Sequence, residues 1–237
     1  MHLSGVCHRG IAKRGRLGAA LIAALLLSAC STDMIPAGRH PRSHAKTPGK
    51  SPTSPPRYGV NSPEFRACAG KLAGLGARYT PLPDRDYGGG CTAYGALQLD
   101  EIVVPVTGLG PITCPVAQNF AAWARYGVAP AARLFFGKEL VRIDTFGTYN
   151  CRVIAGSSQL SEHARSNAID IAAFLLADGR RISVQNGWNG DEASQAFLRA
   201  VRNSACRRFR TVLSPDYNGA HHDHLHFDMG GRGGYCR

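Results

Sequence analysis

Four of the nine histidines crowd into six residues near the C-terminus: His221, His222, His224 and His226. His224-Leu225-His226 is a His-x-His step in a run whose apolar residues alternate, which predicts a strand over Leu225–Met229. Side chains i and i+2 of a strand point to the same side. Two imidazoles then face one pocket while Leu225 and Phe227 face a core. Upstream, His163 and Asp170 stand seven residues apart in Ser161-Glu162-His163-Ala164-Arg165-Ser166-Asn167-Ala168-Ile169-Asp170. His163 falls at the end of a loop and Asp170 inside a β-rich run, and that spacing can bring both side chains onto one ion. Two imidazoles and a carboxylate make the three-ligand set of a catalytic zinc site, which keeps a fourth position for water. Zinc lowers the pKa of such a water towards about 7, giving a nucleophile at neutral pH. The expected cofactor is Zn2+.

His-x6-Asp followed by His-x-His resembles the metallopeptidase superfamily of lysostaphin, the D-alanyl-D-alanine peptidases and the hedgehog signalling domain. His221-x-x-His224-x-His226 resembles penicillin-insensitive murein endopeptidase. Across 60–237 the chain resembles the bacterial extensin-like C-terminal domain family. The likeness is carried by Gly147-Thr148-Tyr149-Asn150-Cys151-Arg152, Leu160-Ser161-Glu162-His163, Asn167-Ala168-Ile169-Asp170 and Asp223-His224-Leu225-His226-Phe227-Asp228. The resemblance implies that His163, Asp170 and His226 are the zinc ligands. It makes His224 a catalytic histidine beside the open position, and Arg152 the arginine that steadies a substrate carbonyl. Two residues separate Tyr149 from Arg152, where the peptidases have a Tyr-Arg pair. Asp223 and His221 are the candidate general bases. Ser161 and Asp228, each two residues from a ligand, are expected to support the ligands from behind; the alternative for Asp228 is a solvated acid at a strand end. Ser166 stands where many relatives have Gly. The implied activity is zinc-dependent hydrolysis of peptide or D-amino-acid bonds in peptidoglycan. The alternatives are a non-catalytic zinc module that binds cell wall, or a structural lipoprotein without zinc.

Several elements must position these residues. Ser62-Pro63-Glu64 reads as a helix start, followed by Phe65, Cys68, Ala69, Leu72 and Leu75 at helical spacing, with Gly76 closing the helix. Residues 79–91 are rich in Pro, Asp and Gly and read as loop, and Leu97–Pro105 as a strand. A helix is predicted over 115–136, capped by Thr113 and bent or broken near Pro130. Leu140–Thr145 and Ala168–Leu175 read as strands, and Arg181–Gln185 pairs back on the latter through a turn at 177–180. Trp188 either packs on the core or walls a cleft. A helix is predicted over 191–209, then a short strand over Thr211–Leu213. Helices and short strands mix without βαβ regularity. The expected fold is α+β, a small antiparallel sheet with flanking helices in one domain like that of the resembled peptidases.

The N-terminus gives an address. Arg9, Lys13, Arg14 and Arg16 precede an apolar run from Leu17 to Leu27, which ends in Leu27-Ser28-Ala29-Cys30. That run is shorter than the roughly 20 residues of a membrane span and reads as a signal segment over 1–29. Small residues before a cysteine resemble the lipobox of bacterial lipoproteins, with Cys30 as the lipid-bearing residue. Ser31 in place of Asp favours the outer membrane, so the expected location is exported, at its periplasmic face. Residues 30–57 hold six prolines among Ser, Thr, Lys and Arg, and read as a basic tether. The net charge is +12; removing the four basic residues of 1–29 leaves +8, and 31–57 carries +4 of that. High basicity thus belongs mostly to signal and tether, and nucleic acid is not an expected partner. Peptidoglycan, and a membrane through the lipid, are the expected partners of a monomer.

With Cys7 in the signal and Cys30 assigned to lipid, Cys68, Cys91, Cys114, Cys151, Cys206 and Cys236 remain in the domain over 58–237. An even number in an oxidising compartment predicts three disulfides. Fifteen pairings are possible. Cys68–Cys91, which brackets one helix and one loop, is the one expected here, and a bridge at Cys236 would pin the C-terminus.

Overall fold

The computed structural model describes residues 59–237. The signal segment, Cys30 and the tether lie outside the described residues. Helix α1 (Pro63–Gly74) starts where the sequence predicts. The Ser62 hydroxyl accepts from the Phe65 amide at 3.0 Å, and Phe65, Ala69 and Leu72 bury one face. Strands β1 (Arg78–Pro81), β2 (Arg85–Gly88), β3 (Cys91–Ala93), β4 (Ala96–Glu101), β5 (Val106–Thr107) and β6 (Ile112–Thr113) follow. The stretch expected as loop over 79–91 therefore holds two strands. β1 is an edge strand on β4, where Pro81 loses no ladder bond, and β2 forms a hairpin with β3. The strand expected to reach Pro105 stops at Glu101.

Helix α2 (Cys114–Trp123) leads through a π-helical turn (Ala124–Val128) into α3 (Ala129–Phe136). The expected break thus lies ahead of Pro130. The proline itself sits in the first turn of α3, directly after the π-helical turn that interrupts the α-helical ladder. The Thr113 hydroxyl does not cap α2; it donates to Asn167 Oδ1 at 3.1 Å.

The remaining elements are β7 (Leu140–Gly147), a 3-10 turn (Glu162–Arg165), β8 (Ala168–Leu176), β9 (Arg181–Ser183), α4 (Val184–Gly187), α5 (Glu192–Ala205), β10 (Thr211–Leu213), a second 3-10 turn (Gly219–His221), β11 (Leu225–Asp228) and β12 (Tyr235–Cys236). The main sheet has the order β12-β10-β11-β8-β7-β5, with β9 also on β8. Its centre is antiparallel, and its two outer pairs, β5–β7 and β10–β12, are parallel. The fold is α+β, as expected.

One face of this sheet packs on helices. Trp123 of α2 meets Phe174 of β8 and Phe227 of β11, with ring centroids 5.9 and 5.0 Å apart, and its indole N–H donates to the Val201 carbonyl of α5. The strand ladder shifts register between Asp144 and Thr145, whose partners are Ala173 and Ile171, so Ala172 is the extra residue on β8. This bulge moves the core positions from Ile169 and Ile171 to Phe174 and Leu176. Asp170, between Ile169 and Ile171, faces the opposite side by alternation, ahead of the bulge.

All six domain cysteines pair, as Cys68–Cys114, Cys91–Cys151 and Cys206–Cys236. The expected Cys68–Cys91 bridge does not form: α1 packs on α2, which brings Cys68 to Cys114 instead. Cys236 does tie down the C-terminal strand.

Candidate metal centre

The face of the sheet away from the helices holds the histidines. Asp170 in β8 is directly opposite His226 in β11 and Gly147 in β7. Directly opposed side chains share a face and lie close. His163 is delivered by the 3-10 turn. The Ser161 hydroxyl caps that turn by accepting from the His163 amide at 3.3 Å. Asn167 clamps it by donating to Glu162 Oε2 at 2.6 Å. His163, Asp170 and His226 are all buried.

Their donor atoms converge. His163 Nε2 lies 3.2 Å from His226 Nδ1 and 3.1 Å from Asp170 Oδ2, and His226 Nδ1 lies 2.9 Å from Asp170 Oδ1. The opposite edge of each ring is committed. His163 Nδ1 faces the Thr148 carbonyl at 3.2 Å, and a carbonyl can only accept, so Nδ1 carries the hydrogen. His226 Nε2 faces Asp228 Oδ2 at 3.0 Å and donates to it. Two lone pairs and a carboxylate are thus aimed at one point. Three acceptors this close repel one another unless a proton or cation sits between them. The tetrahedral edge set by Zn–N bonds of about 2.0–2.1 Å is roughly 3.3 Å, near the observed spacings. The donor set fits a zinc ion. His226 with its outer N–H on a carboxylate and His163 with its outer N–H on a backbone carbonyl match the outer-shell pattern of ligating histidines.

The electrostatics point the same way. Burial disfavours a charge on His226, but its hydrogen bonds to Asp170 and Asp228 outweigh this and raise its pKa to about 9. Burial of Asp170 is likewise outweighed by both histidines, which hold it well below the usual carboxylate range. The pocket draws in positive charge.

The other expected residues surround this cluster unequally. His224 Nδ1 donates to Asp223 Oδ1 at 2.8 Å, leaving Nε2 facing inward, 3.6 Å from Asp170 Oδ1. Asp223 therefore lies behind His224, not over the cluster. His221 is half-buried; its ring lies 5.0 Å from His224 and 5.9 Å from His226, and Asn218 Oδ1 accepts from its Nδ1. Burial and the nearby histidines lower its pKa to about 4, so it is neutral at pH 7. Arg152 is exposed and has no side-chain hydrogen bond or ion pair among the described residues, and its charge reaches His221. His222 is exposed on the surface. Asp228 is buried behind His226 rather than solvated. Trp188 lies away from the cluster; it is buried, donates to Asp216 Oδ1 at 2.7 Å and stacks under Arg199.

The structure adds residues the sequence did not single out. Thr148 acts through its backbone carbonyl, so its side-chain type carries no signal. Phe146 is 61% exposed and lies edge-on to His224 at 6.1 Å. Tyr217 lies edge-on to His221 at 5.5 Å. Phe146 falls one residue past the strand expected over Leu140–Thr145, so its position at the strand end was not legible. Ser166, which closes the 3-10 turn, has φ 54°, a left-handed conformation that Gly adopts without strain.

Comparison with known proteins finds no significant match among curated proteins or solved structures. The family described as "Extensin-like protein C-terminus" matches residues 66–237, which include all the residues of the cluster and its surroundings. That match spans well over half of the sequence, and the chain belongs to the extensin-like protein C-terminus family.

Proposed function

We propose that the domain over 58–237 is a zinc-dependent hydrolase that cuts peptide or D-amino-acid bonds of peptidoglycan. The observation that carries this reading is the convergence of two imidazole lone pairs and one carboxylate, each imidazole fixed from behind by a hydrogen-bond acceptor. The likeness to lysostaphin-type and D-Ala-D-Ala peptidases and the lipoprotein-like N-terminus supply the substrate class. His163, Asp170 and His226 would hold the ion. Bound there, zinc supplies a Lewis acid and a water acidified towards pKa of about 7.

The chain's own groups do the rest. Thr148 and Asp228 hold both ligand rings in the tautomer that presents a lone pair. Asp223 holds His224 so that Nε2 faces the cluster, where it can hold a proton for a leaving amine. His221, neutral at pH 7, offers an accepting nitrogen once Asn218 has taken its N–H. Arg152, which has no ion pair among the described residues, would steady a substrate carbonyl.

One observation favours the non-catalytic alternative, a zinc module that binds cell wall or serves as a structural outer-membrane lipoprotein. The carboxylate best placed in sequence to be a general base, Asp223, is engaged by His224. Two measurements separate the readings. Elemental mass spectrometry of the oxidised protein should find about one zinc per chain, lost in His226→Ala. Zinc-free, well-folded protein would sink both zinc readings. Purified muropeptides should be turned over by the native chain. In His224→Ala the rate should drop about 100-fold or more with zinc retained. No turnover by the zinc-loaded native chain would leave the binding module.

A further inference from the structure

A cavity of about 540 Å³ lies between α1, the start of α2 and the segment joining β3 to β4. None of the metal-cluster residues lines it. Its size falls in the range of small-molecule sites, roughly 300–1,000 Å³. The Cys68–Cys114 disulfide lines its wall and ties α1 to α2 across it. The walls combine an apolar body with unequal charge. Phe65, the ring of Tyr94 and Met229 supply the apolar part. The Tyr94 hydroxyl is already directed at Asp86. Three charged side chains line the cavity: Arg165, Arg210 and Glu64. Arg210 has no carboxylate partner among the described residues, and Arg165 has one long ion pair that leaves most of its donors unused. Arg165 pairs with Glu162 Oε1 at 3.5 Å, and the other Glu162 oxygen is bound by Asn167. Arg210 donates only to the Gly231 carbonyl among the described residues. Two guanidiniums with unused donors, on a largely apolar wall, match a planar carboxylate attached to an apolar group.

We propose that this cavity binds a small organic carboxylate, with the anion on Arg165 and Arg210 and the apolar part against Phe65, Tyr94 and Met229. The site shares two walls with the metal cluster. The 3-10 turn sends His163 to the cluster and Arg165 to the cavity, and Met229 follows the Asp228 that holds His226. The proposal stands whether or not the cluster holds zinc.

Calorimetric titration of the full chain with 4-phenylbutyrate and with 4-phenylbutanamide tests it, each probe run with and without prior chelation. The carboxylate should bind in both states, and the amide about tenfold more weakly or worse. Arg165→Gln and Arg210→Gln should each weaken carboxylate binding about tenfold, while Glu64→Gln, which removes the opposing charge, should leave it equal or tighter. All three side chains are exposed, so folding is not at stake. Equal binding of the amide, or no binding of the carboxylate, overturns the proposal. So does binding that chelation abolishes and Arg165→Gln leaves intact, because the carboxylate would then sit on a metal.

Discussion

His226 is almost entirely enclosed, yet it lies between two carboxylates, Asp170 and Asp228. In metal-free protein a proton satisfies that environment, which is why its pKa rises to about 9. The sign of the consequence follows from linkage. The unfolded value is about 6.5, so the stabilisation is fully present below about pH 6.5 and is lost as pH rises through about 9. A zinc ion bound at this cluster would replace that proton. The melting temperature of chelated protein should therefore fall between pH 6.5 and 9.5, by on the order of 5 °C, whereas zinc-loaded protein should hold steady over that range. A parallel decline in both samples would mean that His226 is not where the ion binds. At this scale much was legible. Residue types and spacing picked out His163, Asp170, His224 and His226, because ligand chemistry restricts the residue type. The Thr148 carbonyl was not legible, because any residue supplies one.

The elements turn those residues to one point. Alternation along β8 turns Asp170 away from the core face held by Ile169 and Ile171, and the extra residue Ala172 brings Phe174 onto that same core face. Alanine suits either face, so alternation alone could place the strand but not its bulge. Gly147 ends β7 at φ 125°, opposite Asp170, and hands the chain to Thr148. A Cβ there meets nothing nearer than the Gly108 carbonyl, at 3.7 Å, so the obstacle to a side chain is backbone strain rather than crowding. Gly147→Ala should cost about 1–3 kcal/mol in denaturant unfolding. It should also weaken zinc binding in a chelator competition, since relaxing the strain swings the Thr148 carbonyl off His163. Loss of stability with unchanged zinc affinity would show that the carbonyl does not set the ring. Elements with strong caps or alternation were placed correctly: α1, β7, β8 and β11, and the start of α5, which ends at Ala205 rather than at 209. The edge strands β1 and β2 were hidden by turn-forming residues, which edges tolerate.

Across the whole molecule, three disulfides close loops of 46, 60 and 30 residues. The chain-entropy estimate for each is about 4 kcal/mol. Their energies are similar but their positions are not. Cys206–Cys236 joins the end of α5 to the outermost strand, β12, which β10 separates from the β11 strand of His226. Cys91–Cys151 joins β3 to the segment that holds Thr148 and Arg152, three residues before the bridge and one after it. The α+β class was legible because it follows from local periodicity. The pairings were not, because each is set by packing between elements distant in sequence, and proximity along the chain favoured Cys68–Cys91 wrongly. The two bridges can be told apart by function. Replacing Cys206 and Cys236 together by serine should lower unfolding stability by about 2–4 kcal/mol and leave zinc affinity within about twofold. Replacing Cys91 and Cys151 should cost a similar amount of stability and weaken zinc about tenfold or more, because the carbonyl behind His163 is then held by a free loop. Calorimetric unfolding and zinc competition on the same samples would decide it. Equal zinc affinity in both double variants would mean that the sheet and the 3-10 turn hold the cluster without help from the loop.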